Sequence, residues 1–148
     1  MIDDYFPRSN YNTWSGAYSA KGKLWVNILE KAYLKLHGGY DFPGSNSSRD
    51  LYILTGWLPE SFRMEKLKIT KDELWKKMLG GSKLNNCLIT MGTGPISNED
   101  AVGIVGGHAY GVLEVLEYNG NKLLLVKNPW GHFRWKGKWA YGDSNWTP

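Results

Sequence analysis

The sequence predicts an α+β fold in which helices come first and an antiparallel sheet follows. Two stretches in the first half repeat apolar residues with the 3.6-residue period of amphipathic helices. In the second half, two β-prone runs flank Asn119-Gly120, one of the best two-residue hairpin turns. The helical stretches precede the strands instead of alternating with them, which is an α+β pattern and not a βαβ one.

Met1 to Gly22 reads as an extended, turn-rich opening punctuated by Pro7, Ser9, Asn10, Asn12, Gly16 and Gly22. "KLWVNILEKAYLKLHGG" is the strongest helix. Its core stripe is Leu24, Trp25, Ile28, Leu29, Ala32, Tyr33 and Leu36, and Gly38-Gly39 stops it. "DFPGSNSSRD" reads as a loop, with Asp50 capping a short helical turn through "LYILTGW". In "TKDELWKKMLGG", Thr70 and Glu73 have capping-box spacing, Leu74, Trp75, Met78 and Leu79 form the stripe, and Gly80-Gly81 ends the helix. "NCLITM" is a short strand and "GTGPISNED" a loop. His108 to Tyr118 and Lys122 to Lys127 form the hairpin, and Trp135, Trp139 and Trp146 follow in strands and turns.

The 148 residues suffice for one domain with a real core. The net charge of +4 is spread along the chain, so nucleic acid is not an expected partner. With a single cysteine, Cys87, no internal disulfide can form, and packing must stabilise the fold. There is no apolar run of membrane-spanning length and no basic, apolar leader at the N-terminus. A cytoplasmic setting is the expectation.

"GGHAY" and "KNPWG" stand at the outer ends of the hairpin. A thiol protease needs a thiolate, a His that generates it and protonates the leaving amine, and a group that fixes the imidazole tautomer. His108, Asn128 and Trp130 supply the base, its orienter and an indole that shields the bond between them from water. On spacing alone, a strand-end histidine and a turn-forming Asn before Pro129 account for the same residues. Register adds a condition. If Asn119-Gly120 is a two-residue turn and the ladder is unbroken, Asn128 faces Gly111 and His108 points to the other side of the ribbon. Contact between the two therefore requires a bulge between His108 and Tyr118.

Cys87 is rejected as the nucleophile, because reactive thiols favour helix N-termini and this one sits inside a strand-like run. His37 fits the C-terminal end of its helix, and His132 reads as a solvent-facing loop residue. Three scattered His and one Cys have no metal-ligand spacing. "GTGP" lacks the Lys and the following helix of a phosphate loop.

These residues resemble the second half of the calpain-type cysteine protease core, whose fold is papain-like, and most of all the atypical PalB-type calpains. The resemblance is carried by "IDDYFP", "LWVNILEKAYLKLHGGYDFPGSNSSRDLYILTGWLPE", "GHAY…NPWG" and "KNPWGHFRWKGKW…NWTP", and is least clear from Ser61 to Gly81. It implies a right-hand subdomain, residues 1–148, with a twisted antiparallel sheet and helices packed against it. His108 would be general base and acid, Asn128 its orienter, and Trp130 the shield and part of the substrate wall. Gly107 matches a position where the backbone approaches the bound peptide, and Cys87 matches a structural cysteine. The family's nucleophile lies in a Gly-x-Cys-Trp helix start in the preceding subdomain, together with an oxyanion-hole Gln, and neither motif is in this sequence.

Conventional calpains bind calcium here through acidic residues. Arg134 and Tyr141 stand at the matching places, a guanidinium has no acceptor, and Asp143 alone is a poor oxygen cage. Calcium binding is doubtful on these residues, and no cofactor is expected. The implied partners are a polypeptide substrate, the nucleophile-bearing subdomain and, through other domains of the parent, endosomal sorting machinery. The rival from another class is a non-catalytic calpain-like module that binds a peptide or partner protein. A third reading, carbohydrate binding, predicts exposed coplanar indoles.

Overall fold

The structure is a computed structural model that describes residues 1–11, 14–19 and 21–146. Asn12, one of the turn formers of the opening segment, and the Thr147-Pro148 end of the tail lie outside them. The elements in chain order are α1 (Trp25–Leu36), α2 (Ser47–Thr55), a single 3₁₀ turn (Met64–Lys66), α3 (Lys71–Leu84), β1 (Ile89–Gly92), α4 (Glu99–Val102), β2 (Ala109–Tyr118) and β3 (Asn121–Lys127). Two compact units divide the chain, Met1–Ser45 and Asn46–Pro148. Among the described residues, no helix is long and apolar enough to cross a membrane.

In the first unit, α1 ends as its glycines predict. The N–H groups of His37 and Gly39 both close on the Leu34 carbonyl, at 2.9 and 3.0 Å, and Gly38 and Gly39 have positive φ. The His37 ring stacks on Tyr33 at 4.4 Å, and its Nδ1 donates to the Tyr33 carbonyl.

The buried face of α1 is not the predicted one. Within this unit Trp25, Ile28, Leu29 and Leu36 stay exposed, Trp25 at 64%, while Asn27 is buried. The physical reason lies in the extended opening segment, whose unpaired backbone groups need polar partners. Lys31 bonds the Asp3 carboxylate and the Tyr5 carbonyl, Lys35 donates to the Met1 carbonyl, and Glu30 accepts the Ala17 N–H at 2.7 Å. The segment therefore covers the polar side of the helix.

In the second unit, α2 is capped by Asn46, whose side chain accepts the Arg49 N–H at 3.1 Å. Asp50 sits inside the first turn and is not the cap, because the helix starts earlier, at Ser47. The Thr70–Glu73 capping box forms in full. Gly80 and Gly81 do not end α3, which runs on to Leu84 and stops at a left-handed Asn85. Gly81 instead makes room for a neighbour, since a Cβ there would come within 2.5 Å of the Cys87 sulfur.

The sheet order is β1-β2-β3, all antiparallel. The α+β expectation holds, with α3 packed on β2. Leu74, Trp75 and Val115 are buried between them, the Trp75 indole N–H donates to Glu117 at 2.7 Å, and the Val115 N–H donates to the Ser82 hydroxyl. Asn119 and Gly120 both have positive φ, the conformation of a type I′ turn.

The predicted bulge is present. Tyr118 pairs with Asn121 and Glu114 with Leu125, but Val112 pairs with Val126, so Leu113 is an extra residue. Three other expectations change. "GTGPISNED" contains the start of α4, and strand β1 begins at Ile89, so Cys87 precedes the strand instead of lying inside it. The Trp-rich tail forms turns, with no strand among its described residues.

Candidate functional site

The site grows out of the open end of the hairpin. Gly111 faces Lys127, so one step further out Asn128 stands level with Tyr110. His108 lies two residues beyond Tyr110 and therefore shares its face. Were Leu113 paired with Val126 in an unbroken ladder, Asn128 would face Gly111, the count would be odd and His108 would point away. The structure brings the two side chains into hydrogen-bond contact, with His108 Nε2 3.1 Å from Asn128 Oδ1.

The direction of that bond follows from the groups around the amide. The Trp130 N–H, which can only donate, points at Asn128 Oδ1 at 3.0 Å. The Phe133 carbonyl, which can only accept, receives Asn128 Nδ2 at 3.2 Å. Both backbone groups fix the carboxamide with its oxygen toward the histidine. An oxygen accepts, so the imidazole must donate from Nε2. In the neutral ring, Nδ1 then carries the free lone pair.

The ring is held on two further sides. Trp130 lies over it, with centroids 4.6 Å apart and planes tilted by 49°, and is itself half exposed. Tyr110 meets it edge-on at 4.9 Å. Tyr110 is buried and its hydroxyl accepts the Val105 N–H at 2.8 Å, so it forms a rigid floor beneath the imidazole. The backbone of His108 is pinned by Thr93. That residue's N–H donates to the His108 carbonyl at 3.0 Å, while its hydroxyl accepts the His108 N–H at 3.1 Å and donates to the Val105 carbonyl at 2.7 Å.

Gly107 precedes the histidine with a φ of +59°, a conformation that L side chains rarely adopt. A Cβ placed there would meet nothing within 4 Å, so the backbone at this point borders open space.

Other candidates are not brought in. Cys87 is half-buried against Gly81, at the far end of the sheet from Gly92, which pairs next to His108. Four residues lie between Cys87 and Gly92, so five steps of extended chain span roughly 16 Å. His132 is exposed. The Arg134 carbonyl packs against Gly103, Tyr141 is 95% exposed, and Asp143 is occupied by N–H groups of Trp139 and Asn145. Among the described residues, no three His, Cys, Asp or Glu side chains are grouped to hold a metal. Trp139 and Trp146 meet at 77°, which gives no coplanar indole platform in the tail.

Tyr110, Thr93 and Glu99 were not singled out by sequence reasoning, and all three support the site. Tyr110 was legible, since alternation along β2 puts it on the face of His108. Thr93 and Glu99 act through backbone groups 15 and 7 residues away and leave no local sequence signal.

Comparison with known proteins gives a consistent result. The model of the calpain cysteine protease family matches residues 1–148. The chain is 42% identical over 154 aligned positions to calpain-7 of Homo sapiens, covering all of this chain and 19% of that protein. It is 42% identical over 134 positions to the calpain-like protease palB/RIM13 of Aspergillus oryzae, covering 88% of this chain and 16% of that protein. It is 35% identical over 158 positions to the calpain-type cysteine protease DEK1 of Zea mays, covering 99% of this chain and 7% of that protein. The chain thus spans about a fifth or less of the length of these relatives. The antiparallel sheet packed against a helix accords with the papain-like core of that family.

Proposed function

The chain belongs to the calpain family of cysteine proteases, and from that premise we propose that residues 1–148 are the His- and Asn-bearing half of a calpain-like endopeptidase core. The observation that carries this reading is the His108–Asn128 bond, whose direction leaves Nδ1 as the bare nitrogen.

In this reading the thiol nucleophile comes from the preceding subdomain. His108 Nδ1 takes the thiol proton, and the thiolate adds to the peptide carbonyl carbon. The imidazolium gives that proton to the amine nitrogen as the C–N bond breaks, leaving a thioester. A water then loses a proton to Nδ1, its oxygen bonds to the acyl carbon, and the C–S bond breaks to free the acid. Asn128 keeps the ring in the Nε2–H tautomer throughout, and Trp130 shields that bond from water. The open backbone at Gly107 and the exposed face of Trp130 would border the peptide substrate.

The single cysteine, half-buried away from His108, gives these residues no thiol of their own, so this chain alone is inactive in the proposal. We place the enzyme in the cytoplasm, acting on polypeptides, with other domains of the parent serving endosomal sorting machinery. The absence of a disulfide pair within the chain accords with a reducing compartment. The test is peptide hydrolysis by the full-length protein. His108→Ala should abolish it, and a variant with full activity would remove the base assignment.

A further inference from the structure

The four-residue helix α4 stands between the two loops that bear the site and bonds to both. On one side, Glu99 Oε1 accepts the Gly106 N–H at 2.6 Å and so fixes the turn that delivers Gly107 and His108. That turn has no slack, because a Cβ at Gly106 would lie 2.7 Å from the Ile96 nitrogen and 2.9 Å from Glu99 Oε1. On the other side, the carbonyls of α4 hold the loop returning from Asn128. Lys136 donates from Nζ to the Asp100 carbonyl at 2.5 Å and from its backbone N–H to the Val102 carbonyl at 3.0 Å. Beside them, Gly103 approaches Arg134 so closely that a Cβ would overlap its carbonyl oxygen, at 1.8 Å.

These links close a ring. His108 follows the Gly106 turn, which is held by Glu99, and Glu99 begins the helix whose carbonyls hold Lys136. Lys136 lies three residues beyond Phe133, whose carbonyl accepts Asn128 Nδ2, and Asn128 Oδ1 returns to His108. Both side-chain contacts pair a charged group with a neutral backbone partner, which makes them stronger than neutral bonds. The lysine cation also sits where helix carbonyls favour positive charge.

We infer that Glu99 and Lys136 are positioning residues that act through α4 to hold His108 and Asn128 at bonding distance. This rests on the reading of that pair as general base and orienter. A loop shift of about 1 Å at such a pair costs on the order of 100-fold in rate, so releasing one tether should be visible in turnover.

The experiment uses the full-length protein with a peptide substrate. Lys136→Met removes the donor, and Glu99→Ala removes the acceptor. Each should lower kcat by about ten-fold or more, with KM changed by less than about two-fold. Lys136→Arg keeps a cationic donor and Glu99→Gln keeps an acceptor oxygen, so both should recover most of the loss. All four are assayed at a temperature where melting curves show them fully folded, which separates positioning from stability. Lys136 is exposed, so its Met variant carries the test even if Glu99→Ala does not fold. If Lys136→Met, and Glu99→Ala where it folds, keep kcat within about two-fold while His108→Ala is dead, the tether is wrong and the protease reading stands. If His108→Ala is active, the protease reading itself falls, and this inference falls with it.

Discussion

His108 Nε2 lies 3.1 Å from Asn128 Oδ1 because one extra residue, Leu113, stands between them in the strand pairing. Side chains alternate faces along a strand, so an added or removed residue moves everything beyond it to the opposite side. Deleting Ala109 should keep Tyr110 level with Asn128 but make His108 its immediate neighbour in the strand, turning His108 to the face away from Asn128. Activity of the full-length protein should fall by at least about 100-fold, and the crystal structure of the variant should show the imidazole on the other face. Retained activity with the pair intact would show that the strand register does not control the site.

Removing the orienter takes away tautomer control together with two bonds that hold the loop. Asn128→Ala leaves the Trp130 N–H and the Phe133 carbonyl without their side-chain partner and frees the imidazole to rotate. We expect a loss on the order of 100-fold in kcat, with KM nearly unchanged. Steady-state kinetics on a peptide substrate checks it.

Cys87→Ala should leave peptide hydrolysis by the full-length protein within about two-fold, because its sulfur packs against Gly81 and not against His108. A large loss, or rapid alkylation of Cys87 together with inactivation, would put a second thiol in play.

Trp75 is the main anchor of α3 on the sheet. It is 8% exposed and donates to Glu117. Trp75→Phe should cost about 0.5–1.5 kcal/mol through the lost hydrogen bond to the exposed Glu117, and Trp75→Ala about 3–5 kcal/mol. Urea unfolding of the full-length protein, followed at probes in this unit, measures both.

The Asp143 carboxylate is held below the usual Asp range by N–H donors, first the Asn145 backbone, then its side chain, with the Trp139 N–H as a further donor. A carboxyl lowered by folding stabilises the native state above its unfolded pKa, about 3.9. That contribution is lost as pH falls through the lower native value. Near-UV circular dichroism from the Tyr118–Trp139–Trp146 cluster should therefore persist as pH approaches 4 (~4, the ordinary carboxyl range) and fade only below it. Asp143→Asn should weaken that signal at neutral pH and remove this part of its acid dependence.

Much of the second unit was legible because local chemistry settles it. Thr70 and Glu73 close a capping box three residues apart, and Asn119-Gly120 meets the backbone demands of a type I′ turn. Even the bulge followed from counting residues between His108, the turn and Asn128. What failed did so where distant partners decide. The apolar stripe of α1 was read as its core face, but in its unit the helix is covered on the side where Glu30, Lys31 and Lys35 satisfy the opening segment. Gly80-Gly81 looked like a helix stop, yet Gly81 is there to admit the Cys87 sulfur. Thr93 reaches the His108 backbone across 15 residues, and no local pattern announces that.

The central claim is that Asn128 holds His108 with its proton on Nε2, leaving Nδ1 to accept the proton of a thiol. Nitrogen-15 NMR of histidine-labelled full-length protein, at a pH where the ring is neutral, observes this directly. The account predicts that His108 is protonated at Nε2 and bare at Nδ1, and that Asn128→Ala makes the two tautomers exchange. A His108 ring protonated at Nδ1, or a tautomer unchanged in Asn128→Ala, would contradict it.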